Sequence, residues 1–204
     1  MKLIGVYDYT VILTYLSLFS AVFGMFQAAQ GSFTAAVVCL FCSGFCDAFD
    51  GIVARSKKDR TEDEKAFGIQ LDSLCDVIAF GVFPALLCYY MGVKGIVGML
   101  FEFFFCLCAV IRLAFFNVLE AKRQKVEGGC NKTYRGLPVT SVSIILPVIY
   151  CLRFIVPGTV FAGILHVLLL SVGFLFILDF QVPKPDWTKM LVHAGLMKYL
   201  HTKD

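Results

Sequence analysis

Residues 46–76 read CDAFDGIVARSKKDRTEDEKAFGIQLDSLCD and place four aspartates at the ends of two apolar segments. Asp47 and Asp50 are three residues apart at the end of one segment. Asp72 and Asp76 are four apart at the start of the next. Because offsets of three, four and seven return to one side of a helix, each pair is expected on one helical face. If the two helices are neighbours, the four carboxylates converge.

Such a cluster needs positive charge, because close carboxylates repel one another and are costly to desolvate. Arg55 neutralises only one of them. Oxygen ligands at this density suit Mg²⁺ or Mn²⁺, and four carboxylates allow two ions to share the site. The alternative, that the aspartates only mark helix ends, explains Asp76 poorly, since it lies two turns into an apolar segment where ionisable residues are usually functional. We therefore predict a metal site at Asp47, Asp50, Asp72 and Asp76.

The composition around this stretch is that of a membrane protein. Of the 204 residues, 59% are hydrophobic and only 16% charged, whereas soluble domains carry about 25% charged residues. The net charge of +3 comes from basic residues in short loops between apolar segments, so nucleic acid is not expected as a partner.

Six apolar segments are long enough to span a bilayer. They cover roughly residues 9–28, 32–53, 69–90, 93–118, 137–155 and 158–180. The predicted fold is therefore an all-α membrane protein with six transmembrane helices.

Basic residues follow the second and fourth segments and fill the C-terminal tail, while Lys94 and Arg153 are alone on the opposite side. The positive-inside rule then places both termini, and a polar cavity at the aspartates, on the cytoplasmic side. We divide the chain into a six-helix domain, 1–182, and a tail, 183–204. Apolar residues at helical spacing in the tail predict a short amphipathic helix on the membrane surface; a frayed polar tail is the alternative.

The aspartates belong to a longer pattern that resembles the CDP-alcohol phosphotransferase family. The pattern D-x-x-D-G-x-x-A-R runs from Asp47 to Arg55, and G-x-x-x-D-x-x-x-D runs from Gly68 to Asp76. Twelve residues separate Arg55 from Gly68, more than is usual in the family. We expect the extra residues to lengthen the cytoplasmic loop and leave the metal site unchanged.

Three further stretches resemble the bacterial branch of this family that uses serine as acceptor. They are LDSLCDVIAFGVFPA from Leu71, RLAFFNV from Arg112 and YRGLPVTS from Tyr134. The resemblance implies an enzyme, commonly a homodimer in the plasma membrane, that transfers the phosphatidyl group of CDP-diacylglycerol to L-serine. Its polar cavity would open to the cytoplasm and to the lipid.

The resemblance also implies roles for individual residues. Asp47, Asp50 and Asp72 would bind metal, and Asp76 would be both a ligand and the general base. The CDP moiety would contact residues that are small or can offset its charge: Gly51, Ala54, Arg55 and Gly68, with Thr14 as an additional candidate.

The acceptor site is less constrained by the sequence. Serine's carboxylate calls for a cation, and Arg112, in the cytoplasmic half of an apolar segment, is the first candidate; snorkelling or structural pairing is the alternative. Arg135 and Lys132 follow, with a topogenic or lipid-headgroup role as their alternative. Asn117 and Tyr134 either bond the substrate or cap helix ends. Rival hypotheses are another acceptor, such as glycerol 3-phosphate or inositol, and a cation transporter, which would leave Gly51, Ala54 and Arg55 unexplained.

Overall fold

The structure, a computed structural model, describes residues 5–57, 59–126 and 133–183. Seven α-helices follow one another along the chain: α1 Ile12–Ala29, α2 Phe33–Ser56, α3 Glu62–Asp76, α4 Phe83–Tyr90, α5 Gly95–Val126, α6 Val142–Tyr150 and α7 Gly158–Ile177. Two short strands, β1 Thr133–Arg135 and β2 Gln181–Pro183, pair antiparallel. The described fold is all-helical apart from this ribbon.

Within the described residues, five helical stretches are long and apolar enough to cross a bilayer: Tyr9–Ala29, Phe33–Ala54, Glu62–Tyr90, Gly95–Ala121 and Gly158–Ile177. Large apolar side chains on their outer surfaces are exposed, as expected when lipid is the solvent. The chain is therefore a multi-pass membrane protein. The fifth predicted segment, residues 137–155, contains the shorter helix Val139–Phe154, so the count of six and the orientation stay predictions.

Helices α1 and α2 pack closely through small residues. Ser17 Oγ donates to the Ser43 carbonyl at 3.1 Å, and Ser43 Oγ donates to the Ser17 carbonyl at 3.0 Å. A side chain at Gly24 would overlap the Phe83 ring and lie 2.8 Å from Cys39 Cβ. Small residues and paired hydroxyls hold helices together where lipid provides no hydrophobic drive. This contact fixes the position of the aspartates on α2.

The start of α3 corrects the predicted long loop. Helix α2 ends at Ser56 and α3 begins at Glu62, so the extra residues of the motif extend a helix. Thr61 and Glu64 form a reciprocal capping box, and three acidic residues occupy the first turn, where they complement the helix dipole. Hydropathy placed the third segment near residue 69 because it does not register this charged first turn.

Helix α3 does not continue as a regular α-helix beyond the aspartates. Val77–Val82 form a π-helical segment that leads directly into α4, whose second residue is Pro84. The middle of the segment, Ala79–Gly81, is buried, and Phe80 lies with Phe83 of α4 in a core that also contains Phe105 and Phe176. Because π segments change the register between the turns on either side, this one sets the relative orientation of Asp76 and α4.

The β-ribbon joins the chain after α5 to the chain after α7. Arg135 pairs with Gln181, and the Gly136 amide donates to the Phe180 carbonyl at 2.6 Å. Strand β2 crosses the predicted boundary between residues 182 and 183. The predicted amphipathic helix of the tail lies outside the described residues.

Candidate active site

Three of the four aspartates lie close enough to share a cation. One carboxylate oxygen from each of Asp47, Asp50 and Asp72 lies within 4.8 Å of the others, and all three side chains are partly buried. The close packing of α1 against α2, and the docking of α3 beside them, place the two pairs together. The structure therefore brings together the carboxylates that the spacing of the sequence predicted to converge.

Asp76 is the deepest of the four and is only 9% exposed. It does not belong to the group of three by oxygen distances, but its carboxyl group is hydrogen bonded to that of Asp47. Asp76 therefore contacts the cluster from its buried side, immediately before the π segment. This position is compatible with either of the two predicted roles, metal ligand or general base.

The cluster opens into a cavity of about 510 Å³. Its lining includes Asp50, Asp72 and four of the five residues predicted to contact CDP: Gly51, Ala54, Gly68 and Thr14. Thr14 is buried, and its hydroxyl donates weakly to Asp50 Oδ2 at 3.4 Å. Arg55 lies on α2 beside these residues, but its side chain is outside what the structure describes.

Sequence reasoning missed part of the cavity wall. Lys57, Arg60 and Lys65 line it from the α2–α3 connection and the first turns of α3, and Glu120 lines it from α5. Glu120 was recoverable, because it is three residues beyond Asn117 and so shares a helical face with it. Nothing in the sequence indicates that the Arg60 side chain folds back across Gly68.

Lys57 links the N-terminal turn to the end of α2. Its Nζ donates to Asp8 Oδ2 at 2.8 Å and lies 3.5 Å from Glu64 Oε1. This hydrogen bond, with others from Thr10, lowers the pKa of Asp8 to about 2. Asp8 is thus ionised at neutral pH and also caps the short turn that leads into α1.

Arg112 does not line the cavity that holds the aspartates. It is 7% exposed and lines a second cavity of about 290 Å³. Its guanidinium donates to the Phe176 carbonyl at 3.1 Å and the Gly136 carbonyl at 3.4 Å, and it stacks over the Phe116 ring at 4.4 Å. These contacts join α5 to α7 and to the ribbon, and they give no support to the prediction that Arg112 binds the acceptor.

Asn117 lies nearer the aspartates. Its Oδ1 accepts a hydrogen bond of 2.7 Å from Ser73 Oγ, and Ser73 lies between Asp72 and Asp76 on α3. This contact leaves the amide N–H groups of Asn117 as donors on the α5 side of the cluster. Of the other predicted acceptor residues, Lys132 lies outside the described residues. Tyr134 and Arg135 belong to β1, but their side chains are not described.

The donor set fits a divalent metal ion. All the atoms that the three aspartates offer are carboxylate oxygens, the ligands that hard dications prefer, and a cation would relieve the repulsion between them. Arg60 and Lys57 add positive charge around the adjoining cavity. The arrangement is therefore suited to binding a diphosphate beside a buried carboxyl group that can accept a proton.

Comparison with known proteins agrees with this chemistry. A protein 37% identical over 113 residues is the CDP-diacylglycerol–serine O-phosphatidyltransferase of Saccharomyces cerevisiae; the match covers 54% of this chain and 40% of that protein. The archaetidylserine synthase of Methanothermobacter thermautotrophicus is 36% identical over 134 residues, 65% of this chain and 54% of that protein. The chain thus spans about half the length of these two relatives.

A longer match is to the CDP-diacylglycerol–serine O-phosphatidyltransferase of Methanocaldococcus jannaschii. It is 30% identical over 183 residues, which are 90% of this chain and 76% of that protein. Residues 9–178 also match the family model described as CDP-alcohol phosphatidyltransferase. That range contains all seven helices and all four aspartates, and the chain belongs to the CDP-alcohol phosphatidyltransferase family.

Proposed function

We propose that this protein transfers the phosphatidyl group of CDP-diacylglycerol to L-serine, giving phosphatidylserine and CMP. The observation that carries the proposal is the convergence of Asp47, Asp50 and Asp72 at the edge of a cavity lined by Gly51 and Gly68. The relatives named above support serine as the acceptor, since serine appears in all three names although the lipid differs in one. A volume of about 510 Å³ lies within the usual range for small-molecule sites.

Asp47, Asp50 and Asp72 would hold Mg²⁺ or Mn²⁺, and two ions are proposed because Asp76 adds a fourth carboxylate to the cluster. When bound, the metal would offset the charge of the diphosphate. Gly51, Ala54 and Gly68 leave space for the nucleotide to approach the helix backbones, and Arg55 would add a positive charge. The acyl chains of the lipid would remain in the bilayer.

Asp76 would act as the general base, because it is the most buried carboxyl group of the cluster and lies about one helical turn beyond Ser73, which contacts Asn117. It would take the proton from the serine hydroxyl. The serine oxygen then forms a bond to the β-phosphorus, and the bond from that phosphorus to the oxygen bridging to the α-phosphate breaks. CMP leaves with that bond's electron pair, and phosphatidylserine stays in the membrane.

For the acceptor site, the contacts favour Asn117, because its Oδ1 accepts from Ser73 of α3 and its amide N–H groups are of a kind that can donate to a carboxylate. Lys132, Tyr134 and Arg135 remain proposed acceptor residues on the strength of the resemblance alone. We also propose, from the same resemblance and the distribution of basic residues, a homodimer in the plasma membrane. Its active site and both termini would face the cytoplasm, and residues 183–204 would form a tail distinct from the domain of residues 1–182.

The test is release of CMP by the purified full chain from CDP-diacylglycerol, with L-serine, glycerol 3-phosphate, inositol and serinol offered in parallel. We expect Mg²⁺- or Mn²⁺-dependent release with L-serine, and phosphatidylserine as the lipid product. Release of CMP with glycerol 3-phosphate or inositol, but not with L-serine, would support phosphatidyl transfer and refute serine as the acceptor. No release with any alcohol, in protein that is folded and supplied with metal, would refute the proposed function.

A further inference from the structure

The side chain of Arg60 lies across Gly68, at the wall of the cavity beside the aspartates. A methyl group at Gly68 would lie 2.6 Å from Arg60 Nη2, and beyond the local backbone and chain neighbours of Gly68 only Arg60 atoms would be within 4 Å of it. Arg60 lies outside the two motifs, in the segment that is longer than is usual in the family. The space above Gly68, which the motif leaves open for the nucleotide, is therefore partly filled by a guanidinium group.

Arg60 has no carboxylate to neutralise it among the described residues. Its Nη1 donates to the Ala54 carbonyl at 3.4 Å and its Nη2 to the Glu64 carbonyl at 3.1 Å, whereas its Nε is buried without a partner. The two neighbouring lysines differ: Lys57 is paired with Asp8, and Lys65 with Glu62, each at 2.8 Å. Among the described cations that line this cavity, Arg60 is therefore the one whose charge is not offset by a carboxylate.

The position of Gly68 along α3, where the Arg60 side chain lies, indicates which anion Arg60 meets. Gly68 precedes Asp72 by four residues, so the two lie on one face of α3, about 6 Å apart along the axis. Asp76 lies one turn beyond Asp72, in the direction away from Gly68. Arg60 is thus on the side of the metal cluster away from the proposed general base, where the leaving group would lie if the acceptor enters beside Asp76.

We infer that Arg60 binds the phosphate of the cytidine nucleotide, the one that leaves as part of CMP; this inference rests on the proposed function. A guanidinium offers parallel N–H donors that match phosphate oxygens, and the bond is stronger than one between neutral groups. The leaving phosphate gains negative charge as its bond to the β-phosphorus breaks. Arg60 would therefore stabilise both the bound nucleotide and the departing CMP.

The experiment measures inhibition constants of CMP and of cytidine in the CMP-release assay, monitored through phosphatidylserine formation, for the wild type, Arg60→Gln and Arg60→Lys. We expect Arg60→Gln to weaken CMP binding about tenfold or more and to leave cytidine binding and the serine KM unchanged. Arg60→Lys should keep part of the CMP affinity, because it retains the charge and loses the planar fork. Arg153→Gln, a matched change at an exposed arginine beside Phe33, serves as the control.

Gly68→Ala provides a second measurement, because its methyl group would displace the Arg60 side chain. We expect Gly68→Ala to weaken CMP binding less in the Arg60→Gln protein than in the wild type. Thermal unfolding of each variant shows whether the protein is folded. An Arg60→Gln protein that is folded and binds CMP as tightly as the wild type would overturn the inference and leave the proposed function intact. Equal losses for CMP and cytidine would also overturn it, since they would assign Arg60 to the nucleoside. A wild type that neither binds CMP nor releases it would instead refute the proposed function.

Discussion

Asp47, Asp50, Asp72 and Asp76 carry the same functional group, but the helices give them different surroundings. The first three are partly buried and their oxygens lie within 4.8 Å of one another. Asp76 is more deeply buried, behind this group, and contacts it through Asp47. Carboxylates that share a cation and a carboxyl group that exchanges a proton require these two kinds of environment. The proposed division of roles therefore rests on the difference in burial between Asp76 and the other three aspartates.

The first prediction concerns the group of three. Asp47→Asn or Asp72→Asn should lower kcat by roughly a thousandfold or more, since each removes charge needed to hold a dication worth several kcal/mol of transition-state stabilisation. Neither should unfold the protein, because the change relieves repulsion among close carboxylates. The measurements are CMP release during Mg²⁺ titration and thermal unfolding in detergent.

Asp63→Asn is the matched control for these variants, because Asp63 lies exposed in the first turn of α3. It should retain wild-type activity. Removal of metal supplies an independent check: chelator should abolish activity, and added Mg²⁺ or Mn²⁺ should restore it. Full activity in excess chelator, in protein shown by elemental analysis to contain no metal, would falsify the metal site.

The second prediction separates Asp76 from its neighbours. Asp76→Asn should reduce kcat about 100-fold to 10,000-fold, the range for loss of a general base, while CDP-diacylglycerol binding weakens only slightly because three carboxylates remain. The comparison is between single-turnover rate and affinity for CDP. Parallel loss of both quantities would make Asp76 chiefly a metal ligand. The same measurements on Asp47→Asn, where both quantities should fall, provide the reference.

At the scale of elements, the spacing of residues in the sequence was enough to predict which side chains of the metal cluster share a helical face. Asp47, Asp50, Asp72 and Gly68 were placed correctly relative to one another, because helical periodicity fixes a face once two helices are known. The start of α3 was misplaced, since its first turn is held by the capping box of Thr61 and not by apolar burial. The orientations of long side chains such as Arg60 and Arg112 depend on which backbone carbonyls the tertiary fold leaves available as hydrogen-bond acceptors. No local sequence pattern predicts those carbonyls.

Arg112 illustrates this dependence on tertiary contacts. The sequence predicted that Arg112 binds the carboxylate of serine. Its guanidinium instead donates hydrogen bonds to the carbonyls of Phe176, at the end of α7, and of Gly136, after β1. A cation at the C-terminal end of a helix also interacts favourably with the helix dipole. Arg112 therefore fastens three elements: α5, α7 and the segment that leads from β1 into α6.

The third prediction follows from these contacts. Arg112→Ala should destabilise the folded protein by about 1–3 kcal/mol, because two buried carbonyl groups lose their donors, and Arg112→Lys should recover part of the loss. The measurements are thermal unfolding and the KM values of L-serine and serinol, which lacks the carboxylate. We expect the two KM values to change in parallel. A rise for serine alone, with unchanged thermal unfolding, would instead support Arg112 as the reader of the carboxylate.

For the whole molecule, the ribbon constrains how often the chain crosses the membrane. Strands β1 and β2 are hydrogen bonded to each other, so residues 133–135 and 181–183 lie at the same depth and on the same side. Helix α7, which lies between them, is long and apolar enough to span. If α7 spans, the chain must return across the bilayer elsewhere between the strands, and Val139–Phe154 is the remaining helical stretch there. The ribbon thus supports six crossings.

At 16 residues, Val139–Phe154 is short for a membrane-spanning helix, but part of it is in the more extended 3₁₀ conformation. Val139–Phe154 has three residues in a 3₁₀ turn, nine in α6 and four more in a second 3₁₀ turn. Because 3₁₀ turns rise about 2.0 Å per residue and an α-helix 1.5 Å, the stretch is about 27 Å long, close to the roughly 30 Å of a hydrocarbon core. We therefore predict that the short helix spans, and that both termini lie on one side with the basic loops.

Reporter fusions to the full chain and to chains ending in each connection test this fourth prediction. A fluorescent protein that folds only in the cytoplasm should be bright after residue 204 and dark after residue 157, and alkaline phosphatase, active only outside, should give the reverse. The decisive pair brackets α7, because six crossings put residue 157 outside and the C-terminus inside. With five crossings, α7 would start inside, the C-terminus would lie outside, and β1 and β2 would be on opposite faces of the membrane. Bright fluorescence after residue 157 together with phosphatase activity after residue 204 would therefore refute both the six-helix topology and the pairing of the two strands.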